Sequence, residues 1–461
     1  GNDIAQIGTL CEKYNLYFIL DASQTAGTIE IDMEQNHISA ICFTGHKGLF
    51  GPQGTGGIAL ADGVCVRPLL SGGSGVHSFE RKHPMELPAA LEAGTLNGHG
   101  IAGLHAALDW IKKTGIAAIH EKEMALAEQF QRGIETIPGI HIYGGEKRVA
   151  AIVSCNLADL DSAYVSDCLA EDYGIATRAG VHCAPLMHTH FGTEKQGMVR
   201  FSFSCFNTTE EVEKAVRAMQ DIAAENRGKV TAYVGAGGKT SSIRKRAETL
   251  RAEGKRVLIL TTTKMMVPQE QEIFAAYEQT GQESVILDTG AVSKECRAAE
   301  KQLKERVQSV LDTYGCCVAG SLIPGTEKFG MLLEKLMEDL LYLADEILIE
   351  ADGSAHMPVK APAEHEPVLF PYMDEVVIVM GAHAIGKPLQ EVCHRADYAK
   401  KILKCDADKI VTATDIRVLA EQGYAIPIQK QFPWMKISKV TGKDIKLCLT
   451  AEKKDKERDK Q

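Results

Sequence analysis

Apolar and polar residues along the first 225 positions alternate in two ways, short apolar runs typical of strands and longer amphipathic runs typical of helices. The short runs predict strands at residues 16–20, 38–43, 56–60, 140–143, 150–156 and 199–205. The amphipathic runs predict helices at residues 4–14, 100–113, 116–136, 162–171 and 209–225. The intermixed elements after residue 140 predict a smaller α+β domain.

The pattern changes after a short polar break at Asn226-Arg227-Gly228-Lys229. Predicted strands then cover residues 230–234, 256–261, 284–288, 316–322, 346–350 and 375–380. Predicted helices run from a Gly-rich turn at residues 235–240 to residue 252, and over residues 294–311 and 328–343. Regular alternation of strands and helices predicts an α/β domain with a mostly parallel sheet. We therefore expect domains at residues 1–226 and 228–449, followed by a charged tail at 450–461.

Composition restricts the classes of function. A chain of 461 residues predicts two or three domains, and its net charge of -10 argues against nucleic acid as the main partner. The thirteen cysteines form no C-x-x-C pair, which favours a reducing compartment over a disulfide framework. No run approaches the ~20 apolar residues of a membrane helix, so we expect a cytoplasmic protein.

Lys47 is the first candidate catalytic residue, because an apolar strand leads directly into its Gly-rich turn, Thr44-Gly45-His46-Lys47-Gly48. A lysine that bonds covalently to pyridoxal phosphate must be held still, and glycines let the cofactor approach the backbone. A preceding strand ends at Asp21, whose carboxylate could keep the pyridine nitrogen protonated, and Gln24 could bond the phenolic oxygen.

Six stretches in order make residues 1 to about 225 resemble the class V aminotransferase superfamily, in particular its cysteine desulfurase and selenocysteine lyase branch. The stretches are Asp21-x-x-Gln24, Thr44-Gly45-His46-Lys47, Gly51-Pro52-Gln53-Gly54-Thr55-Gly56, Glu92-x-Gly94-Thr95, Arg178-x-Gly180-x-His182-Cys183-Ala184-Pro185 and Arg200-x-Ser202. The resemblance implies the type I fold of pyridoxal-phosphate transferases, with a partial large domain and an α+β small domain. It also implies that a longer N-terminal portion precedes Gly1, so we expect this chain to be a fragment.

The same resemblance implies roles for further residues. Thr44, His46 and Thr95 would complete the phosphate cup, with Thr95 reaching in from the second subunit of a homodimer. Cys183 would be the thiolate that accepts the chalcogen, and positive neighbours such as Arg178 favour a thiolate. Arg200 would bind the substrate carboxylate; Arg178 could share that role or form a surface ion pair.

A strand, a Gly-rich turn and a helix follow one another at Gly235-Ala236-Gly237-Gly238-Lys239-Thr240. This order is typical of phosphate-binding loops, although Tyr233 occupies the place of the first glycine of the standard spacing. ATP or GTP with Mg²⁺ is the expected ligand. Thr240 would bind the Mg²⁺ together with Glu350 and Asp352, which could instead cap a strand end.

The second half also resembles a known group, the accessory proteins of selenium-dependent molybdenum hydroxylases, which are P-loop-like. The matching stretches are Val234-Gly235-Ala236-Gly237-Gly238-Lys239-Thr240, Thr261-Thr262-Thr263-Lys264, Glu350-Ala351-Asp352-Gly353-Ser354, Lys360-Ala361-Pro362-x-x-His365-Glu366-Pro367, Gly386-Lys387-Pro388-Leu389 and His394-Arg395.

Together the two halves indicate a fusion that mobilises sulfur or selenium from cysteine or selenocysteine and delivers it to a molybdenum hydroxylase or another chalcogen acceptor. Two alternatives stay open at this point. The chain could be a non-catalytic, nucleotide-gated maturation scaffold, or a class V enzyme that acts on another amino acid.

Overall fold

The computed structural model of the protein describes residues 2–77, 79–144, 148–277, 294–406 and 408–442. The chain forms two compact units. The first comprises Gly1–Gly133, Tyr143–Ser154 and Arg200–Val216, and the second comprises Ile134–Ile142, Cys155–Val199 and Arg217–Gln461.

The α-helices of the described residues are α1 (Ile4–Lys13), α2 (Gly98–Thr114), α3 (Ile116–Ile134), α4 (Ser162–Glu171), α5 (Pro185–Phe191), α6 (Thr209–Asn226), α7 (Lys239–Ala252), α8 (Lys294–Tyr314), α9 (Glu334–Leu340), α10 (Leu389–Val392), α11 (Ala396–Leu403), α12 (Ala413–Val418) and α13 (Ile426–Gln431). A π-helix over Leu419–Ala425 joins α12 to α13. Among the described residues, none of the helices has the length and apolar character needed to cross a membrane.

The strands are β1 (Ile19–Asp21), β2 (Ala40–Thr44), β3 (Gly56–Leu60), β4 (Ile140–Tyr143), β5 (Ile152–Leu157), β6 (Val199–Ser202), β7 (Lys229–Gly235), β8 (Val257–Thr261), β9 (Lys264–Met266), β10 (Phe274–Tyr277), β11 (Cys316–Leu322), β12 (Lys328–Gly330), β13 (Glu346–Glu350), β14 (Val359–Lys360), β15 (Glu375–Gly381), β16 (Cys393–His394) and β17 (Lys436–Gly442). Strands β4, β5 and β6 form a three-stranded sheet in that order.

The sheet of the first unit has the order β1-β2-β3, with β1 parallel and β3 antiparallel to β2. Leu49, Leu104, Ile111 and Ile119 pack together beside it and bury the apolar sides of α2 and α3. The predicted strand at residues 16–20 is shorter in the structure, because β1 pairs with β2 only from Ile19 onward.

Within the described residues, the largest sheet has nine strands, with the order β17-β15-β7-β13-β8-β11-β12-β9 and with β10 paired to β11. All its pairs are parallel except those that β12 makes with β11 and β9. Strands β8, β13 and β15 are buried along their whole length, as expected for strands covered by helices on both faces. This arrangement confirms the predicted mostly parallel sheet.

The helix predicted at residues 328–343 begins later in the structure. Residues 328–330 form β12 instead of starting a helix, and α9 begins only at Glu334. Phe329 is fully buried and pairs with both β11 and β9, so tertiary packing overrides the helical pattern. The predicted strand at residues 284–288 and the charged tail at 450–461 lie outside the described residues.

Strand β7 lies between β13 and β15, in the middle of the parallel part of the sheet. After β7 the chain adds β8 and then β13 on one side of β7, and afterwards it adds β15 and β17 on the other side. The order of the sheet therefore reverses at β7. In open α/β sheets, ligands bind at the carboxyl ends of strands at such a switch point.

Candidate functional sites

The carboxyl ends of β1 and β2 lie side by side in the first unit. Parallel pairing matches Asp21, the last residue of β1, with Cys42 of β2. The Ala22 N–H donates to the Cys42 carbonyl at 2.8 Å, and the Thr44 hydroxyl donates to the Ser23 carbonyl at 3.3 Å. Both chain segments therefore leave the sheet at the same edge.

Lys47 lies in a loop that begins at this edge and is closed by backbone hydrogen bonds. The Gly51 N–H donates to the Gly45 carbonyl at 2.7 Å, and the Phe50 N–H donates to the Lys47 carbonyl at 2.9 Å. A side chain at Gly45 would place its Cβ 2.1 Å from the Thr55 hydroxyl oxygen, so glycine is required for this close approach. The Lys47 side chain itself is exposed.

The charges of Asp21 and Lys47 interact with each other. Hydrogen bonds from Ser23 lower the pKa of Asp21, and the positive charge of Lys47 lowers it further. Asp21 is thus an ionised carboxylate at neutral pH and lies within electrostatic range of Lys47. A carboxylate and a lysine at one sheet edge, beside a glycine loop, fit the pyridinium nitrogen and the aldehyde carbon of pyridoxal phosphate.

The other predicted cofactor residues are less tightly grouped. His46 precedes Lys47 in the same loop, and Gln24 lies in the turn that follows β1; both side chains are exposed. Thr95 lies in a separate loop of the first unit, where the Gly94 N–H donates to the Gly72 carbonyl at 2.9 Å. Its contribution from a second subunit stays a prediction.

Cys183 lies in the second unit as an exposed free thiol, just before α5. Arg178 Nη2 donates to Cys183 Sγ at 3.4 Å, and His182 Nε2 is 2.7 Å from the Arg178 carbonyl oxygen. His182 and Cys183 both have left-handed backbone conformations, with φ of 51° and 59°. Such non-glycine strain is concentrated at functional sites, and no sequence pattern indicated it.

Of the two predicted substrate arginines, the structure thus places Arg178 beside the Cys183 sulfur. Arg200 lies in β6 and belongs to the first unit. Whether either guanidinium binds a substrate carboxylate stays a prediction.

The second candidate site begins where β7 ends. Gly235, Gly237 and Gly238 have φ of 90°, 77° and 128°, values that favour glycine. A Cβ at Gly235 would lie 2.2 Å from the Val379 carbonyl oxygen, and a Cβ at Gly237 would lie 2.4 Å from that of Pro358. The loop therefore packs closely against the segments before and within β15.

Helix α7 starts immediately after this loop. Its first internal hydrogen bond runs from the Ser242 N–H to the Gly238 carbonyl at 2.9 Å. The amides of Lys239, Thr240 and Ser241 thus precede the first turn and have no partner within the helix. Together with the helix dipole, such amides favour a bound anion.

Lys239 and Thr240 connect the loop to the neighbouring strand end. Lys239 is only 4% exposed, and its Nζ donates to the Gly235 carbonyl at 2.7 Å and to Ser354 Oγ at 3.2 Å. Burial lowers the pKa of Lys239, and the charges of Glu350 and Asp352 oppose that effect. The Thr240 hydroxyl donates to Glu350 Oε2 at 2.9 Å.

The two predicted acidic residues differ in their surroundings. Burial raises the pKa of Glu350, which bonds Thr240. Asp352 instead accepts hydrogen bonds from the Gly235 N–H at 3.1 Å and from the Tyr424 hydroxyl at 2.7 Å, and it pairs with buried Lys360. Sequence reasoning assigned no role to Lys360 or Tyr424, because their contacts join segments far apart in the chain.

Within the part of the chain that the structure describes, no group of three or more His, Cys, Asp or Glu side chains is arranged to hold a metal ion.

Two family models match this chain. Residues 1–215 match the model described as aminotransferase class-V. Residues 1–215 are therefore similar in sequence to class V aminotransferases. Residues 231–397 match the model described as YqeC protein, which includes the Gly235 loop.

The curated proteins that this chain resembles include named desulfurases. A probable cysteine desulfurase of Methanothermobacter thermautotrophicus is 34% identical over 226 residues, which are 48% of this chain and 56% of that protein. A cysteine desulfurase of Escherichia coli (strain K12 / DH10B) is 30% identical over 226 residues, 48% of this chain and 54% of its own length. The chain thus spans about half the length of the curated relatives it matches.

Among solved structures, the apo structure of a cysteine desulfurase from Thermococcus onnurineus NA1 is 29% identical, with a TM-score of 0.44. The similarity covers 48% of this chain and 56% of that one.

Proposed function

We propose that the first half is a pyridoxal-phosphate enzyme of the cysteine desulfurase or selenocysteine lyase type. The observation that carries this proposal is the position of Asp21 at the end of β1 and of Lys47 in the loop after the parallel strand β2, close enough for the lysine charge to lower the pKa of the carboxylate. The names of the relatives, probable cysteine desulfurase and cysteine desulfurase, support the same assignment.

Pyridoxal phosphate, when bound, would supply an electron sink for the bonds at the substrate Cα. Asp21 would hold the pyridinium proton, Gln24 the phenolic oxygen, and Thr44 and His46 the phosphate. The Lys47 amine, held by its closed loop, would take the Cα proton and return it to the product.

Cys183 would carry out the chalcogen transfer. Its thiolate attacks the sulfur or selenium of the substrate, a bond forms between Cys183 Sγ and that atom, and the substrate Cβ–S or Cβ–Se bond breaks. The electron pair of the broken bond returns to the substrate carbon, which gains a proton and leaves as alanine. Arg178, which donates to Cys183 Sγ at 3.4 Å, would hold the sulfur in position.

The attachment of the cofactor tests this assignment. After incubation of the full chain with pyridoxal phosphate and reduction with borohydride, peptide mapping should place the label on Lys47. The Lys47→Ala variant should lose both the label and the cofactor absorbance, whereas Lys112→Ala, at an exposed lysine of α2, should keep both. A label on another lysine would contradict the proposal, and no specific labelling would favour the non-catalytic scaffold.

Substrate screening separates the remaining alternative. A class V enzyme that acts on another amino acid would release no sulfide, selenide or persulfide from cysteine or selenocysteine, and its turnover would not require Cys183. Release of alanine from either chalcogen substrate supports the desulfurase or lyase assignment.

For the second half we propose binding of ATP or GTP with Mg²⁺. The specific observation is the arrangement of Lys239 and Thr240 at the start of α7, with the Thr240 hydroxyl on Glu350. Lys239 would release Gly235 and bind the terminal phosphates, the free amides of α7 would hold phosphate oxygens, and Thr240 with Glu350 would orient the ion.

Calorimetric titration of the full chain with ATP and with GTP tests this second proposal. Lys239→Ala should weaken binding at least tenfold, about 1.4 kcal/mol, because it removes the main positive charge facing the phosphate. Lys245→Ala, at an exposed lysine of the same helix, should bind like the wild type. If the wild-type chain binds neither nucleotide, the loop is only a tight strand-to-helix connection.

We further propose that the fusion acts in the cytoplasm as a homodimer and passes the chalcogen to an acceptor such as a selenium-dependent molybdenum hydroxylase. Transfer of radiolabelled selenium from the full chain to the purified hydroxylase, with dependence on Cys183, would support this role. Transfer only to small thiols would contradict it.

A further inference from the structure

Asp352 is 1% exposed and uses both carboxylate oxygens within the protein. Oδ2 accepts from the Gly235 N–H at 3.1 Å and from the Tyr424 hydroxyl at 2.7 Å. Oδ1 pairs with the ammonium group of Lys360, which is itself fully buried and also lies 2.9 Å from Glu366 Oε2. Donors of its own chain thus bind both oxygens of this carboxylate, two on Oδ2 and one on Oδ1.

The loop residue Gly235 is held from two sides. Its N–H donates to Asp352, and its carbonyl accepts from Lys239 Nζ at 2.7 Å. A phosphate that draws Lys239 away would remove the second of these bonds. Asp352 would then be the side chain that still holds the first residue of the loop in its left-handed conformation.

Tyr424 supports Asp352 from a distant part of the chain. It is fully buried in the π-helix Leu419–Ala425, and π-helical turns occur frequently at functional sites. Burial, together with the charge of Asp352, raises the pKa of Tyr424 well above its ordinary value. The hydroxyl therefore stays protonated and acts as a donor to the carboxylate.

We propose that Asp352, supported by Tyr424 and Lys360, is a positioning residue that holds the Gly235 end of the loop in its anion-binding shape and is not a ligand of Mg²⁺. This inference rests on the proposed nucleotide site and assigns its two acidic residues to different tasks. Glu350, bonded to Thr240, is left as the carboxylate on the side of the metal ion.

Nucleotide titrations of the full chain with and without the metal separate these tasks. We would titrate ATP, and in parallel GTP, in excess Mg²⁺ and again in EDTA. Tyr424→Phe removes one hydrogen bond and should weaken binding about fivefold in both conditions. Asp352→Asn should weaken it about tenfold or more in both, whereas Glu350→Gln should act mainly in Mg²⁺.

Tyr398→Phe is the matched control, because Tyr398 lies partly exposed on α11. It should leave both affinities unchanged. A loss that Asp352→Asn shows only in Mg²⁺ would identify Asp352 as a metal ligand and overturn the proposal. Equal affinities for Tyr424→Phe and the wild type would also overturn it, and this conservative variant remains informative if Asp352→Asn does not fold.

A measurement without nucleotide keeps the two proposals distinguishable. In hydrogen–deuterium exchange of the full chain, amides of residues 230–242 should exchange about fivefold faster in Tyr424→Phe than in the wild type and Tyr398→Phe. Unchanged exchange overturns the positioning role whether or not nucleotide binds. If the wild type binds no nucleotide but residues 230–242 exchange faster in Tyr424→Phe than in the wild type, only the nucleotide proposal fails.

Discussion

At the residue scale, Cys183 combines a reactive group with an unusual backbone. Its thiol is exposed, it receives a hydrogen bond from Arg178, and it adjoins His182 in a pair of left-handed residues. Such conformations cost about 1–3 kcal/mol each and persist only where surrounding structure imposes them. The turn is held by the Ala184 N–H, which donates to the Val181 carbonyl at 2.9 Å.

We expect Cys183→Ala to reduce release of alanine from cysteine and selenocysteine by about a hundredfold or more, because no nucleophile remains to accept the chalcogen. The cofactor absorbance should be unchanged, since the thiol acts on the substrate side chain and not on the cofactor. Cys65→Ala, at another exposed cysteine, is the control and should retain activity. Full activity of Cys183→Ala would make this thiol dispensable.

At the scale of single elements, the phosphate-loop glycines are not equivalent. A Cβ at Gly237 would lie 2.4 Å from the Pro358 carbonyl oxygen and 2.7 Å from Gly381 Cα, whereas a Cβ at Gly238 meets no atom within 4 Å. Both residues have positive φ. Alanine at either position is therefore strained, but only Gly237→Ala also forces the loop away from β15.

We expect Gly237→Ala to lower Tm more than Gly238→Ala and to weaken nucleotide binding more than tenfold, about 1.4 kcal/mol. Gly238→Ala provides the matched control, because it introduces the backbone strain of about 1–2 kcal/mol without the steric contact. Thermal unfolding and calorimetry of both full-length variants measure the difference. Identical effects would show that backbone conformation, and not close packing, requires Gly237.

At the scale of the whole molecule, residues of the second compact unit that are distant in sequence share one charged network. Lys304 of α8 lies 2.8 Å from Asp159 and 3.3 Å from Asp339 of α9. His141 of β4 lies 2.6 Å from the other oxygen of Asp339, and the Tyr342 hydroxyl donates to the Pro138 carbonyl at 2.6 Å. The network thus ties α8 and α9 to segments that lie within the class V match.

Lys304→Met should lower the free energy of unfolding by about 2 kcal/mol, because it leaves the nearly buried Asp339 without its lysine. Lys301→Met is the control: Lys301 and Glu305, 3.9 Å apart, are both largely exposed, and such pairs contribute little. Chemical denaturation of the full-length variants measures both values. An equal effect of the two substitutions would show that the network adds no stability.

The pH dependence of this contribution follows from the pKa of Lys304. Burial lowers that pKa, but the charges of Asp339 and Asp159 outweigh burial and raise it above 10.5. A lysine whose pKa is higher in the folded than in the unfolded protein stabilises the fold fully at pH values below its unfolded-state pKa. This contribution is lost as the pH rises through its folded-state pKa. The stability difference between wild type and Lys304→Met should therefore persist at neutral pH and shrink only in strongly alkaline solution.

The sequence by itself determined the strand that leads to Asp21, the strand and Gly-rich turn that lead to Lys47, the Gly-rich turn at Gly235 to Thr240, and the mostly parallel sheet of the second half. These features depend on short-range sequence patterns, namely apolar runs of strand length, glycines at turns, and residues that start helices. Neighbouring residues therefore suffice to predict them, and apolar runs also predicted strands near β1 and β2, although not the pairing between them.

The tertiary structure alone decided which partner each polar group has. Glu350 and Asp352 are two residues apart and look interchangeable in sequence, yet one bonds Thr240 and the other bonds Gly235 and Tyr424. Phe329 likewise became part of a strand because β11 and β9 flank it. The physical reason is that burial and hydrogen-bond partners arise from contacts between segments far apart in the chain. The local pattern of apolar and polar residues does not predict those contacts.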